Sequence, residues 1–122
     1  MQSNPVGWFE IYVQDMARAK RFYEGVFQGA LQKLDSPEAE MWAFPMEMGS
    51  TGAAGALVKM KGVPSGGSTL VYFRCDDCSI EQARVLKAGG VVHKEKFSIG
   101  QYGYISLVVD PDGNMFGLHS MR

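Results

Sequence analysis

The sequence predicts an α+β fold: two βαβββ modules whose strands pair into one curved mixed sheet, with the helices outside and a cleft inside. Three observations predict it. A β-rich run at 8–14 is followed by an amphipathic helix and by further strand-like runs. The same order, strand, helix, strands, recurs from residue 70. Between the two lies Val63-Pro-Ser-Gly-Gly-Ser, which lacks the apolar periodicity needed to pack and has the composition of a connector. Neither half alone buries both faces of its sheet, so the two are expected to join in one domain. That domain spans 1–122, with module one at about 6–61, a linker at 62–68 and module two at about 69–122.

Each element has a local reason. In Trp8-Phe-Glu-Ile-Tyr-Val-Gln, alternation puts Phe9, Ile11 and Val13 on one face of a strand and Trp8, Glu10 and Tyr12 on the other. Asp15 stands where an N-cap belongs, Met16, Ala19, Phe22, Tyr23 and Val26 recur at helical spacing, and Gly29 is the expected stop. Strands follow at 41–48 and 53–60, joined by the turn Gly49-Ser-Thr-Gly52. In the second half, Leu70 to Cys75 forms a strand and Asp76 and Asp77 a turn. Ile80, Ala83 and Leu86 give the stripe of a helix that ends at Gly89-Gly90. A last hairpin pairs 104–109 with 115–119 around Asp110-Pro-Asp-Gly-Asn, where Pro111 fixes φ and Gly113 can take a positive one.

Composition narrows the function. The chain has 122 residues, 46% hydrophobic and 20% charged, the profile of a globular domain with a real core. Twelve Lys and Arg against thirteen Asp and Glu leave a formal charge of -1, so no positive field gathers nucleic acid or anionic lipid. No apolar run is long enough for a bilayer and the first residues do not have the layout of a secretory signal, so a cytoplasmic location is expected. Two cysteines do not make a disulfide framework and are expected as thiols.

The stretch from Trp8 to Phe27, which runs strand, Asp, then a helix carrying Phe22-Tyr23, resembles the opening of many vicinal-oxygen-chelate proteins. The stretch from Tyr102 through Asp110-Pro-Asp-Gly-Asn to His119 is similar to their final hairpin. With the internal repeat, the resemblance to this superfamily of glyoxalases, bleomycin-resistance proteins and extradiol dioxygenases covers nearly the whole chain. The resemblance implies a site on the inner strands, where metal-dependent relatives hold a divalent ion with His, Gln or Glu. Here those positions fall on Trp8, Leu70 and Gly117, with the fourth near Gly55. Indole, leucine and glycine supply no donor, so no metal ligand and no cofactor is expected beyond a weakly held divalent ion on Glu10 and His119.

Glu10 is the sharpest candidate. A carboxylate on an inward face beside Trp8 and Tyr12 can act as a general base, or it can be a structural partner of Arg74. Trp8, Tyr12, Trp42 and Tyr72 are expected to line an aromatic cleft with Arg74 and Glu10 as its polar anchors. His119 is a further ligand candidate, set against an exposed residue near a frayed end. Cys75-x-x-Cys78 has the spacing of a redox pair, but alternation sends Cys75 with Val71 and Phe73 into the helix layer, as a core residue. The resulting expectation is a metal-independent protein that binds a small apolar or aromatic molecule. The alternative is a lyase, isomerase or dioxygenase-like enzyme using Glu10 as base, and a third class is an interaction protein without a small ligand. A homodimer is expected, because relatives complete their sites across two chains and symmetric dimers are the commonest oligomers.

Overall fold

The computed structural model describes residues 4–65, 69–111 and 113–122. They form two compact units, one of Trp8–Thr69 and one joining the residues before Trp8 to Leu70–Arg122. In chain order the elements are β1 Val6–Tyr12, α1 Met16–Phe27, β2 Gln32–Leu34, β3 Glu40–Ala43 and β4 Ala54–Lys59, then β5 Thr69–Arg74, α2 Cys78–Val85, β6 Val91–Ser98, β7 Tyr104–Val109 and β8 Met115–Ser120. The class is α+β and each half is a βαβββ module, as expected. Residues 4–7 group with the second module, where the Arg74 N–H donates to the Pro5 carbonyl at 2.8 Å.

In the Trp8–Thr69 unit the strand order is β2-β3-β4-β1, with β1 parallel to β4 and the other pairs antiparallel. Asp15 caps α1, its carboxylate accepting from the Arg18 N–H at 3.0 Å, and Met16 and Ala19 go into the core with Leu31 and Leu57. The helix ends one residue earlier than Gly29 suggests. Gln28 takes the left-handed conformation, φ 56, and its N–H returns to the Glu24 carbonyl at 2.8 Å. The strand expected over 41–48 stops at Ala43, because Pro45 has no N–H for a ladder; the Phe44 N–H makes the last bond, to Gly55. The expected linker begins as an ordered turn, with Val63 N–H on the Met60 carbonyl at 3.1 Å. Its residues 66–68 lie outside the described chain, as does Asp112 of the final turn.

In the other unit the order is β5-β8-β7-β6, with β5 parallel to β8. Asp77 caps α2 by accepting from the Ser79 N–H at 3.0 Å. The apolar stripe of this helix is not Ile80, Ala83 and Leu86. Ile80 and Leu86 are 49% and 75% exposed, while Cys78 is fully buried with Val85 packed on its cluster. Two hydrogen bonds set that phase: the Cys78 N–H donates to Ser120 Oγ at 3.0 Å, and Gln82 Oε1 accepts from the Lys96 N–H at 2.7 Å. Both turn the 78–82–85 side toward the sheet. The Asp110 turn closes as expected, with Asn114 N–H on the Asp110 carboxylate at 2.9 Å and Gly113 at φ 88.

Candidate functional site

Alternation along β1 separates two environments. Phe9, Ile11 and Val13 face the α1 side, where Phe9 meets Phe44 at 5.7 Å between ring centroids and Ile11 and Val13 pack on the Leu57 cluster. Trp8, Glu10 and Tyr12 face the other way, onto an apolar surface built from Met41, Ala43, Ala56, Val58 and Met60. Ala56 sits directly beside Glu10 on β4. A single carboxylate therefore stands in an otherwise apolar face, 8% exposed.

The two aromatic neighbours hold that carboxylate. Trp8 Nε1–H donates to Glu10 Oε2 at 3.1 Å, and the Tyr12 hydroxyl donates to Glu10 Oε1 at 2.7 Å. Both donors are i±2 neighbours, which only an extended strand places on one side of the residue between them. Two of the bonds that orient the carboxylate thus come from its own strand. Burial, then the negative charge of Glu10 and the hydrogen bond to it, hold the Tyr12 phenol well above its ordinary value. Tyr12 stays neutral in the folded chain at pH values where an unfolded tyrosine ionises. Its contribution to stability is full below about pH 10 and is lost as pH rises beyond it. An absorbance titration should find that Tyr12 ionises only on alkaline unfolding, with the difference lost in Tyr12→Phe; ionisation of all tyrosines near pH 10 with the fold intact would contradict this environment.

The remaining expected residues divide. Trp42 does not share the face of Trp8 and Tyr12. It stands opposite Leu57 in the β3/β4 register, packs on the α1 cluster, donates to Glu40 Oε2 at 3.0 Å and carries Lys20 Nζ 3.3 Å above its ring. In the other unit, the Tyr72 ring covers Gly117, its partner on β8, in the space where a side chain there would begin. The Arg74 stem lies across Gly7, with Nε 2.5 Å from where a Cβ would be. His119 is no frayed end. It pairs with Arg74 and Ile105 inside β8, is half-buried, and its Nε2 lies 2.6 Å from the Tyr102 carbonyl, which makes that nitrogen the donor.

The donor chemistry of the metal positions does not fit a divalent ion. The Trp8 indole N–H is engaged with Glu10, the space at Gly117 is filled by Tyr72, and Gly55 faces Phe9 on the α1 side while Ala56 takes the inner position. Among the described residues no group of three or more His, Cys, Asp or Glu is arranged to hold a metal. The Cys75 thiol packs on the α2 cluster as expected, and burial and the neighbouring Glu81 push it up to about 12, opposite to the lowered value a redox pair needs. An open depression of about 700 Å³ lined by Lys33, Glu38, Glu40, Lys59 and Lys61 includes none of the expected site residues, although Ala39 and Met60 of its lining also pack on the apolar cluster beneath Trp8 and Tyr12. No helix among the described residues is long and apolar enough to cross a membrane.

Comparison with known proteins agrees with this architecture. CFP32 of Mycobacterium tuberculosis and CFP32 of Mycobacterium bovis, which carry the name glyoxylase, are each 28% identical over 114 residues, 91% of this chain and 43% of theirs. The chain thus spans less than half the length of these relatives. Among solved structures, the hypothetical protein BH1468 from Bacillus halodurans matches with a TM-score of 0.75 at 12% identity, over 99% of this chain and 96% of that one. Methylmalonyl-CoA epimerase from Mycobacterium tuberculosis matches with a TM-score of 0.72 at 14% identity, over 100% and 93%. These likenesses show the fold. The family model described as Glyoxalase/Bleomycin resistance protein/Dioxygenase superfamily matches residues 6–118, and the chain belongs to that superfamily.

Proposed function

We propose that this chain is a metal-independent, cytoplasmic, homodimeric member of its superfamily that binds a small molecule with an apolar or aromatic body on the Glu10 face. The observation that carries the reading is the carboxylate of Glu10, buried in an apolar face and held by two aromatic donors. Such a face offers flat apolar contact from Trp8 and Tyr12 and a single polar group of fixed direction, the usual layout of a small-molecule site. Tyr72, Arg74 and His119 remain ligand candidates on the second unit.

A thermal-shift screen of metabolites, run beside an elemental analysis of the purified protein, tests the proposal. A compound that binds the folded state at a hundred times its Kd raises stability by about 2.7 kcal/mol, a readily measured shift. Stoichiometric zinc or nickel, or turnover of a glutathione hemithioacetal, would sink the metal-independent reading.

Proton transfer with Glu10 as base is a second reading. The same buried carboxylate favours it, and the epimerase among the structural neighbours is an isomerase-type enzyme of the same fold. It separates from simple binding by one measurement: a ligand with an acidic C–H would exchange that hydrogen with deuterated solvent in the presence of wild-type protein but not of Glu10→Gln.

A further inference from the structure

We propose that the depression between the start of β3 and the end of β4 binds the anionic end, a phosphate or a carboxylate, of a ligand whose apolar body lies on the Glu10 face. The inference rests on the binding reading above and adds the class of ligand, an amphipathic anion. All of its residues belong to the Trp8–Thr69 unit. Register explains how one depression meets two environments. Lys33 stands opposite Trp42 and Lys59 opposite Glu40, so these side chains leave the sheet on the Trp42 side. Met60, the next residue after Lys59, and Ala39 pack instead on the Ala43, Ala56 and Val58 cluster, on which Trp8 and Tyr12 also pack. Both sets line the same depression of about 700 Å³, the size of a small-molecule site. An apolar body on the Glu10 face and a polar end in the depression thus have contiguous walls.

Charge selects the polar end. Lys33, Lys59 and Lys61 bring three ammonium groups to the walls, against the two carboxylates of Glu38 and Glu40. Glu40 is the register partner of Lys59, yet its carboxylate is turned to Trp42 and accepts from Nε1 at 3.0 Å. None of the three lysines is in an ion pair or a side-chain hydrogen bond among the described residues. The whole chain carries a formal charge of -1, so the excess of positive charge is particular to this place. An ammonium group offers three donors and no acceptor, and the group that complements several of them is made of acceptor oxygens and negative charge.

Calorimetric titration with naphthyl phosphate, naphthoate, naphthol and inorganic phosphate tests the two halves of the ligand separately. At low salt either naphthyl anion should bind tenfold or more tightly than naphthol, and the advantage should shrink as salt screens the exposed lysines. Lys33→Gln, Lys59→Gln and Lys61→Gln should each raise the Kd of the naphthyl anion about threefold, with the naphthol Kd and the melting temperature unchanged. Glu38→Gln, which removes a negative wall, should act with the opposite sign and tighten the anion. Lys87→Gln, exposed on the other unit, should change nothing. Naphthol binding as tightly as both naphthyl anions, with no response to the lysine substitutions, rejects the depression and leaves the Glu10 face standing. Inorganic phosphate binding as tightly as naphthyl phosphate, with no binding of naphthol, rejects the apolar half and with it the Glu10 face as the place of the ligand body. No binding of any of the four compounds at millimolar concentration rejects the amphipathic anion as the ligand class.

Discussion

Glu10→Gln is expected to leave the chain folded and to weaken binding of the stabilising small molecule tenfold or more, about 1.4 kcal/mol. The amide keeps the shape of the carboxylate and one of its acceptors. Trp8 can only donate, so the amide oxygen should settle toward it, which leaves the NH₂ facing Tyr12. The Tyr12 hydroxyl can turn and accept. The fold therefore loses about 1 kcal/mol, while the ligand loses the anionic acceptor.

Glu10→Leu makes the contrast. It removes both acceptors at once and leaves the Trp8 N–H and the Tyr12 hydroxyl facing an apolar side chain, at a cost of about 2 kcal/mol for two half-buried donors. Replacing Trp8 by Phe and Tyr12 by Phe in the Leu background should recover part of that loss, because the stranded donors go with them. If Glu10→Gln lowers the melting temperature sharply while ligand binding in the folded fraction stays unchanged, the carboxylate is a structural element and not the binding group.

How much of this was legible in the sequence depends on where the periodicity is clean. The Trp8, Glu10, Tyr12 face needs only alternation over seven residues of β1, and the strand keeps it. The N-cap Asp15 and strand β7 at 104–109 were legible for similar reasons. β2 was not, because three residues, Gln32-Lys33-Leu34, cannot show a period. β6 is eight residues long but its pairing shifts between Val92 and Lys94 and again between Lys94 and Phe97, so its charged and apolar residues lose the two-residue rhythm. Trp42 was placed on the wrong face because its direction is set by the register against Leu57, which depends on where β3 begins. The phase of α2 was misread for a comparable reason: Ile80, Ala83 and Leu86 are helically spaced, but the side chains of Ser120 and Gln82 decide which side is turned inward.

Gly117→Glu would place the residue type that the metal-dependent relatives carry in the final strand, and it is expected to destabilise the chain without creating a metal site. Gly117 is buried, and Tyr72, itself only 6% exposed, has its ring where the first carbon of any side chain at 117 would stand. Even Gly117→Ala should cost about 1–3 kcal/mol by overpacking. Glutamate adds a charged group without a prepared partner, which brings the loss to at least about 3 kcal/mol. The cause is checked by a cycle: Gly117→Ala with Tyr72→Leu should be less destabilised than the sum of the two single changes by about 1 kcal/mol, since the second removes the ring that the first collides with. Zinc or nickel should stabilise the folded fraction of Gly117→Glu no more than it stabilises wild type, because Trp8 and Leu70 still contribute no donor. A Gly117→Ala protein with an unchanged melting temperature, or strict additivity in the cycle, would remove Tyr72 as the reason for glycine here. Tight stoichiometric metal in Gly117→Glu would show that the site had lacked a single ligand and not the whole set.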